Sequence, residues 1–111
     1  MDPVVDPAGE PAADSELAAR LATAPPEERE RLLVAAVLER AAAILDRPSL
    51  ADDSNFLENG LSSLAALELA KSLMAASGVE VPVVAVVEYP TPTLLGKYLA
   101  EEYEAADGDA V

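Results

Sequence analysis

The sequence changes character at residues 60–63, where a loop rich in acidic and small polar residues ends and a strongly amphipathic segment begins. Gly60 can adopt backbone angles closed to other residues, which allows the chain to turn sharply. Ser62 is a favoured N-cap, because its hydroxyl can accept hydrogen bonds from the amides of a first helical turn. The junction therefore predicts a helix start, with Ser63 exposed at the N-terminal end of the helix.

The segment after this junction has the spacing of an amphipathic helix from about Ser63 to Ser77. Gly78 follows as a left-handed C-terminal stop. One broad side of the helix is apolar, and we expect it to face the core. That side consists of Ala66, Leu69, Ala70, Leu73 and Met74.

An earlier long helix is predicted between two proline-marked points. Pro25 and Pro26 favour a helix start, because proline is tolerated in a first turn that needs no amide donor. Pro48 disfavours helical geometry at the residue before it, so the helix must stop near Leu45. Its predicted core side consists of Leu33, Val37, Ala41 and Ile44.

The N-terminal part of the chain is predicted to be mostly unstructured. Residues 1–13 contain proline and glycine among acidic residues and show no period that could bury a face, so we expect a disordered linker. Asp14 is a candidate cap for a short helix or linker over residues 14–24, with Leu17 and Leu21 on one side.

The connection over residues 46–61 is long and rich in aspartate, serine and asparagine. Leu50, Phe56, Leu57 and Leu61 are the apolar residues that can anchor it to the core. Long ordered loops in compact domains are usually functional. The acidic residues here lack the spacing of a calcium-binding loop, so no metal site is predicted.

Two segments follow the second helix. Residues 79–88 are rich in β-branched side chains and read alone would form a buried strand, but no other segment could pair with it. Thr91 and Pro92 then open a last helix, which Gly96 weakens. Its predicted inward side consists of Leu94, Leu95, Tyr98 and Leu99. We expect the chain to fray from Glu101 onward, with a flexible acidic tail over residues 105–111.

Composition and charge exclude several function classes. With 21 acidic and 7 basic side chains, the net charge of −14 disfavours binding to nucleic acids and anionic membranes and favours partners with positive surfaces. The chain has no cysteine and no histidine. Ser–His and Cys–His catalysis and histidine-ligated zinc sites are therefore excluded within it. No stretch approaches the roughly 20 apolar residues that span a bilayer, so we expect a soluble cytoplasmic protein.

The junction and its surroundings resemble the phosphopantetheine attachment site of acyl carrier proteins. The resemblance begins at Phe56–Leu64 and continues through Glu68-Leu69, Gly78, Pro82 and Tyr89-Pro90-Thr91, covering roughly Glu27 to Tyr103. It implies that Ser63 carries a covalent 4'-phosphopantetheine. Leu64 lies off the apolar side of the helix and next to the attachment serine, so it either contacts partner proteins or packs under the preceding loop. Leu61 and Glu68 are further candidates for partner contact.

The resemblance implies an all-α, acyl-carrier-type four-helix bundle. Three main helices would be joined by a short third helix within residues 79–88, with a long loop between the first two and an extra helix at the N-terminus. The carrier domain would span residues 25–104. It would tether polyketide intermediates as thioesters and catalyse nothing itself. The implied partners are a phosphopantetheinyl transferase with coenzyme A, a ketosynthase, an acyltransferase and other synthase domains, and the isolated domain would be a monomer.

Further residues indicate which group of carrier proteins the chain resembles most. The segment before the predicted carrier domain resembles the one that precedes carrier domains in modular type I polyketide synthases. It consists of Leu17–Leu21, Pro26–Arg29 and Leu32-Leu33. The segment Glu88–Thr91 is similar to the same group. Peptidyl carriers of nonribosomal peptide synthetases are the alternative, but they usually have two glycines before the serine, where this chain has Asn59-Gly60-Leu61. The family usually has aspartate immediately before the modified serine, and this chain has Ser62. An unmodified acidic adaptor that binds a partner helix is a third hypothesis.

Overall fold

A computed structural model of the chain describes residues 10–109 and the side chains of residues 16–106. Its five helices are α1 (Glu10–Thr23), α2 (Pro26–Leu45), α3 (Ser63–Ser77), α4 (Val83–Glu88) and α5 (Pro92–Asp109). No strand occurs over residues 10–109. The predicted all-α class, with a long loop before α3 and a short helix before the last one, is confirmed.

Helix α2 is the centre of the bundle, because α5, α3 and α1 all pack against it. Helix α1 also contacts α3, and α4 packs on α3. The residues predicted to face the core from α2 and α3 do so, except that Ile44 and Met74 are only half-buried. The fully enclosed side chains include Leu33, Val37, Leu69, Leu73, Leu95 and Leu99.

Local residue chemistry sets most of the helix ends. Gly78 ends α3 at φ 75°, and its N–H donates to the carbonyl of Met74, as a left-handed stop requires. The hydroxyl of Thr91 accepts from the N–H of Leu94 at 3.1 Å, which confirms it as the cap of α5. Asp46 ends α2 in the left-handed region at φ 57°, a conformation that aspartate tolerates better than most residues.

Helix α1 begins earlier than the sequence predicts. It starts at Glu10, so the predicted cap Asp14 lies inside the helix and residues 10–13 are helical. Pro11 sits in the first turn, where proline is tolerated. The prediction was wrong because Leu21, which is fully buried, packs the helix into the bundle and supports a longer element than local caps indicate. Residues 1–9 of the predicted linker lie outside the described residues.

Helix α5 extends further than predicted, to Asp109, although fraying was expected from Glu101 and a flexible tail over residues 105–111. Long-range contacts account for the extra turns: Glu104 forms a salt bridge with Arg29, and the guanidinium of Arg29 lies 4.7 Å from the ring centre of Tyr103. Residues 110–111 lie outside the described part of the chain.

Arg29 joins three helices. Its side chain is almost fully buried, at 11% exposure. Its Nε donates to the carbonyl of Leu21 at 2.9 Å, its Nη2 donates to the carbonyl of Ala24 at 3.1 Å, and its Nη1 bonds Glu104. A buried charge must be paired in this way, and the pairing fixes the end of α1 against α2 and α5.

Two residues that were predicted to be buried are exposed. Leu57 is 51% exposed, because Phe56 next to it takes the core position at 0% exposure. Leu94 is 46% exposed, because the inward side of α5 is centred on Leu95 and Leu99. The apolar run that resembled a strand forms α4, which buries only two of its six residues, Ala85 and Val86.

The entry to α5 is supported by two stacked rings. Tyr89 and Tyr98 lie with their ring centres 4.9 Å apart and their planes at 22°. Burial, and then the neighbouring Glu102 carboxylate, raises the pKa of the Tyr98 phenol above its ordinary value. Tyr98 therefore remains neutral through the physiological range and adds no charge to this stack.

Helices α2 and α5 approach each other closely at Gly96. A Cβ atom added there would lie 2.5 Å from Cγ2 and 2.7 Å from Cα of Val34. The second distance involves backbone, which cannot rotate away. Gly96 is therefore not merely a weak point of α5 but the residue that allows the two helices to touch.

Gly96→Ala should lower the free energy of unfolding by about 1–3 kcal/mol, the usual cost of overpacking. Helix propensity alone predicts the opposite sign, a gain of about 1 kcal/mol. Urea denaturation followed by circular dichroism measures the difference. The control Ala105→Gly, at an exposed position of the same helix, should lose only about 1 kcal/mol of propensity. A more stable Gly96→Ala protein would contradict the close approach.

Candidate functional site

The start of α3 is capped by Ser62. Its backbone is extended, with φ −102° and ψ 172°, and its hydroxyl accepts from the N–H of Ala65 at 3.1 Å. Its carbonyl accepts the first intrahelical bond, from the N–H of Ala66 at 2.9 Å. This geometry confirms the predicted N-cap and explains why a short polar residue is needed here.

Ser63 is the first residue of α3 and is exposed to solvent. Within the described part of the chain, its hydroxyl makes no hydrogen bond. The two adjacent serines are therefore not equivalent: the Ser62 hydroxyl holds the helix start together, whereas the Ser63 hydroxyl is free for a reaction partner.

A tight turn directs the chain into α3. The N–H groups of Asn59 and Leu61 both donate to the carbonyl of Phe56 at 3.0 Å. Gly60 takes φ 95°, in the region that favours glycine, as the sequence predicts. Asn55 braces the turn, because its side-chain oxygen accepts from the N–H of Glu58 at 3.1 Å. The turn sets the direction in which the chain enters the helix.

Hydrogen bonds to the start of α5 hold the preceding loop in place. The N–H of Phe56 donates to the carbonyl of Pro90 at 2.7 Å. The N–H and the hydroxyl of Thr93 both donate to the carbonyl of Asp52, each at 2.9 Å. We call these bonds the loop–α5 contact. They bring together Phe56 and Pro90, which belong to two separate parts of the motif.

Sequence reasoning missed Asp52 and Thr93 as supports of the site. Their contact uses the backbone carbonyl of Asp52, and no pattern of side chains marks such a bond. One indication of this contact was present in the sequence: Tyr89-Pro90-Thr91 and the serine motif both belong to the resemblance to acyl carrier proteins. The structure gives the physical reason, because the two segments are hydrogen-bonded to each other.

The three residues predicted to contact partners differ in exposure. Leu64 follows Ser63 and is 65% exposed, so it does not pack under the preceding loop. Glu68 lies one turn further along α3 and is exposed. Leu61 is half-buried against the core, which leaves only part of its side chain for a partner.

Other large apolar side chains are also exposed, and the sequence did not predict their exposure. Helix α4 packs on α3, and its exposed Val83 lies near Met74, about three turns along α3 from Ser63. A helical period through residues 83–88 would have separated the exposed valines of α4 from its two buried residues, but the run of β-branched residues concealed it. The exposed set consists of Leu57, Leu67, Val83, Val84 and Val87.

The electrostatics of the helix start favour an anion. The first turn of α3 contains no acidic residue, so the partial positive charge of the helix end is not neutralised there. A phosphate attached at Ser63 would lie beside this end of the helix dipole. Over the described residues there is no group of three or more side chains able to ligate a metal ion. Nor does that part of the chain include a helix with the length and hydropathy to cross a bilayer.

Residues 35–99 match the protein family described as phosphopantetheine attachment site. The match begins within α2 and ends within α5. It therefore contains the capped helix start, the turn before it and the loop–α5 contact.

Curated relatives include large polyketide synthases. The chain is 40% identical over 91 residues to the phenolphthiocerol synthesis polyketide synthase type I Pks15/1 of Mycobacterium bovis, covering 79% of this chain and 4% of that protein. It is 41% identical over 97 residues to the spectinabilin polyketide synthase system protein NorA of Streptomyces orinoci, covering 85% of this chain and 5% of that protein. The chain thus spans a small fraction of the relatives it matches.

A solved structure has the same fold. It is the A1-type ACP domain from module 5 of MLSA1, and it superposes with a TM-score of 0.70 at 30% identity. The alignment covers 78% of this chain and 89% of that one.

The two serines should affect stability differently. Ser62→Ala should lower the free energy of unfolding by about 1 kcal/mol, because the N–H of Ala65 loses its acceptor. Ser63→Ala should change it by less than about 0.5 kcal/mol, as is usual for surface substitutions. Ser62→Asp keeps the cap and adds a charge at the helix start worth about 0.3–1 kcal/mol. Equal losses in the two alanine variants, measured by urea denaturation, would contradict the assigned roles.

Proposed function

This chain belongs to the phosphopantetheine attachment site family, and from that premise we propose that Ser63 is the residue that carries the arm. The proposal rests on one observation above all: Ser63 is exposed at the first position of α3 with an unengaged hydroxyl, while its neighbour Ser62 is used as the cap. The arm would hold acyl intermediates as thioesters.

Family membership and the fold confirm several predictions. The chain is a carrier domain of the polyketide-synthase type, and a covalent 4'-phosphopantetheine is the cofactor of its family. The relatives favour the polyketide hypothesis over a peptidyl carrier or an unmodified adaptor.

The residues at the helix start suit covalent attachment. The Ser63 oxygen would attack the phosphorus of coenzyme A that bears the pantetheine, forming a phosphodiester and releasing adenosine 3',5'-bisphosphate. The transferase would accept the hydroxyl proton and supply any metal. Ser62 would keep the helix start rigid, and the positive end of α3 would favour the attached anion. The bound arm supplies a terminal thiol, which this cysteine-free chain lacks.

We infer that the domain itself catalyses nothing. No histidine or cysteine is present in the chain to act as base or nucleophile. A phosphopantetheinyl transferase would load Ser63, and a ketosynthase, an acyltransferase and other synthase domains would act on the tethered group. Because loading consumes coenzyme A, a cytoplasmic location is the natural one.

Partner docking would centre on the exposed first two turns of α3. Leu64 offers an apolar side chain beside the attachment point, and Glu68 offers a carboxylate on the same helix. Leu61 would contribute only its exposed portion. A strongly acidic domain would be steered toward basic partner surfaces, so association should weaken as salt rises.

Loading tests the attachment site. Incubation with coenzyme A and a broad-specificity transferase should add the mass of one phosphopantetheine to the wild type and to Ser62→Ala, because both keep the Ser63 hydroxyl. Ser63→Ala should gain nothing. Intact-protein mass spectrometry reads the outcome, and a loaded Ser63→Ala protein would end the assignment.

The same assay tests the unusual cap. Ser62→Asp should load faster than the wild type, because the added carboxylate lies beside the hydroxyl that the transferase must position with its basic and metal groups. Equal or slower loading at identical salt would show that Ser62 is a neutral replacement.

Leu64→Ala should slow loading by about fivefold, which corresponds to roughly 1 kcal/mol of partner contact. Its thermal stability should stay unchanged, because the side chain is mostly exposed. Leu64→Met, which keeps apolar bulk, should restore most of the rate. Loading of Leu64→Ala at the wild-type rate would remove Leu64 from the docking surface.

A further inference from the structure

A groove of about 620 Å³ lies between the outer flank of α2 and the start of α5. Its apolar lining comes from Val34, Ala35 and Leu38 of α2. Thr93 lines it from the start of α5. The groove is therefore built on helices other than α3, which carries Ser63 and Leu64.

The bundle uses the apolar lining only in part: Leu38 packs partly against the core and Val34 lies against Gly96 of α5, and neither is fully buried. Helix α2 already buries Leu33 and Val37 against the bundle, and the lining residues Val34 and Leu38 each follow one position later. One position corresponds to about 100° around a helix, so these side chains lie on the flank. Both are half-buried, and Ala35 is exposed. Leu94, next to Thr93 in sequence, also leaves nearly half of its surface in solvent.

The rim of the groove is negatively charged. Glu27, Glu30 and Asp52 contribute three carboxylates, and none of them forms a salt bridge within the part of the chain that is described. The rim also contains Arg31, but its guanidinium is engaged by Glu28 at 3.0 Å. Because both partners of this pair are largely exposed, Arg31 keeps most of its charge, and the lining has three carboxylates against one guanidinium. An occupant of this groove would therefore meet an apolar strip bordered by net negative charge.

We propose that this groove docks a basic amphipathic segment of a partner protein. Its aliphatic side chains would pack on Val34 and Leu38, and its lysine or arginine side chains would pair with the three carboxylates. Such a segment is complementary to both features of the groove, in the manner of a helix laid in a groove. A nucleic acid or an anionic membrane would be repelled by the same carboxylates.

This contact is separate from the phosphopantetheine site. It uses α2 and α5, so it does not require a modified Ser63, and the unmodified Ser63→Ala protein should bind the segment as well as the wild type does. Asp52 belongs to both regions, because its backbone carbonyl takes part in the loop–α5 contact while its residue lines the groove. A docked partner would thus touch the loop that leads to Ser63.

The test uses a synthetic stapled helical peptide with leucines at i, i+3, i+4 and i+7 and lysines elsewhere. Nuclear magnetic resonance titration of the full isotope-labelled chain should place the largest amide shifts in residues 27–38 and at Asp52 and Thr93. Ala35→Arg, which puts a positive side chain at an exposed position of the groove, should weaken binding about tenfold or more.

The matched control is Ala105→Arg, which makes the same charge change at an exposed helical alanine outside the groove. It should weaken binding by about twofold, the scale of a surface charge. Equal losses in the two arginine variants, shifts centred on Leu64, loss of binding in Ser63→Ala, or no binding at all would each overturn the proposal. Failure of Ser63 to load in the transferase assay would leave it standing.

Discussion

The hydrogen bond from the N–H of Phe56 to the carbonyl of Pro90 is the contact on which the geometry of the site depends. It joins the loop that follows α2 to the step that precedes α5. Phe56 is also fully buried, so its side chain and its backbone are fixed together. Once Phe56 is fixed, its carbonyl closes the turn that leads into α3. The position of Ser63 is therefore set by Phe56, seven places earlier, and by the segment that leads into α5.

The bundle and the site place different demands on neighbouring residues. Ser62 is engaged and gives α3 a defined start, whereas the Ser63 hydroxyl is unengaged, as our proposal that it carries the arm requires. Leu57 and Leu64 remain in solvent while Phe56 and Leu69 fill the core. A carrier domain needs both arrangements, because a rigid frame positions the arm and an exposed surface admits the enzymes that use it.

The sequence predicts those parts of the fold that depend on local chemistry. The bounds of α2 and α3 follow from Pro26, Ser62 and Gly78, which act within one turn of their own positions. The extents of α1 and α5 could not be predicted in the same way, because they depend on contacts between distant parts of the chain: Leu21 of α1 is buried in the bundle, and Arg29 pairs with Glu104 of α5.

The helical period of apolar residues also gives wrong predictions of burial for residues at the edge of the buried side of a helix. Leu94 falls on that edge and is exposed. Gly96 differs from its prediction in another way. Glycine's low helix propensity predicts that it weakens α5, whereas the structure shows that it allows close contact between α5 and α2. The sequence already assigned the cap to Ser62 and the exposed helix start to Ser63, and the structure confirms that cap through the hydrogen bond from the N–H of Ala65. The loop–α5 contact was not predictable, because backbone carbonyls carry no residue-specific signal.

The central claim is that the frame leaves the Ser63 oxygen, and not the adjacent Ser62 oxygen, available for the arm. Fragmentation mass spectrometry of the loaded wild-type chain tests it most directly, because it locates the phosphopantetheine without altering any residue. We expect the added mass on fragments that contain Ser63 and its absence from fragments that end at Ser62. Phosphopantetheine on Ser62, or a chain that takes up none, would contradict the account.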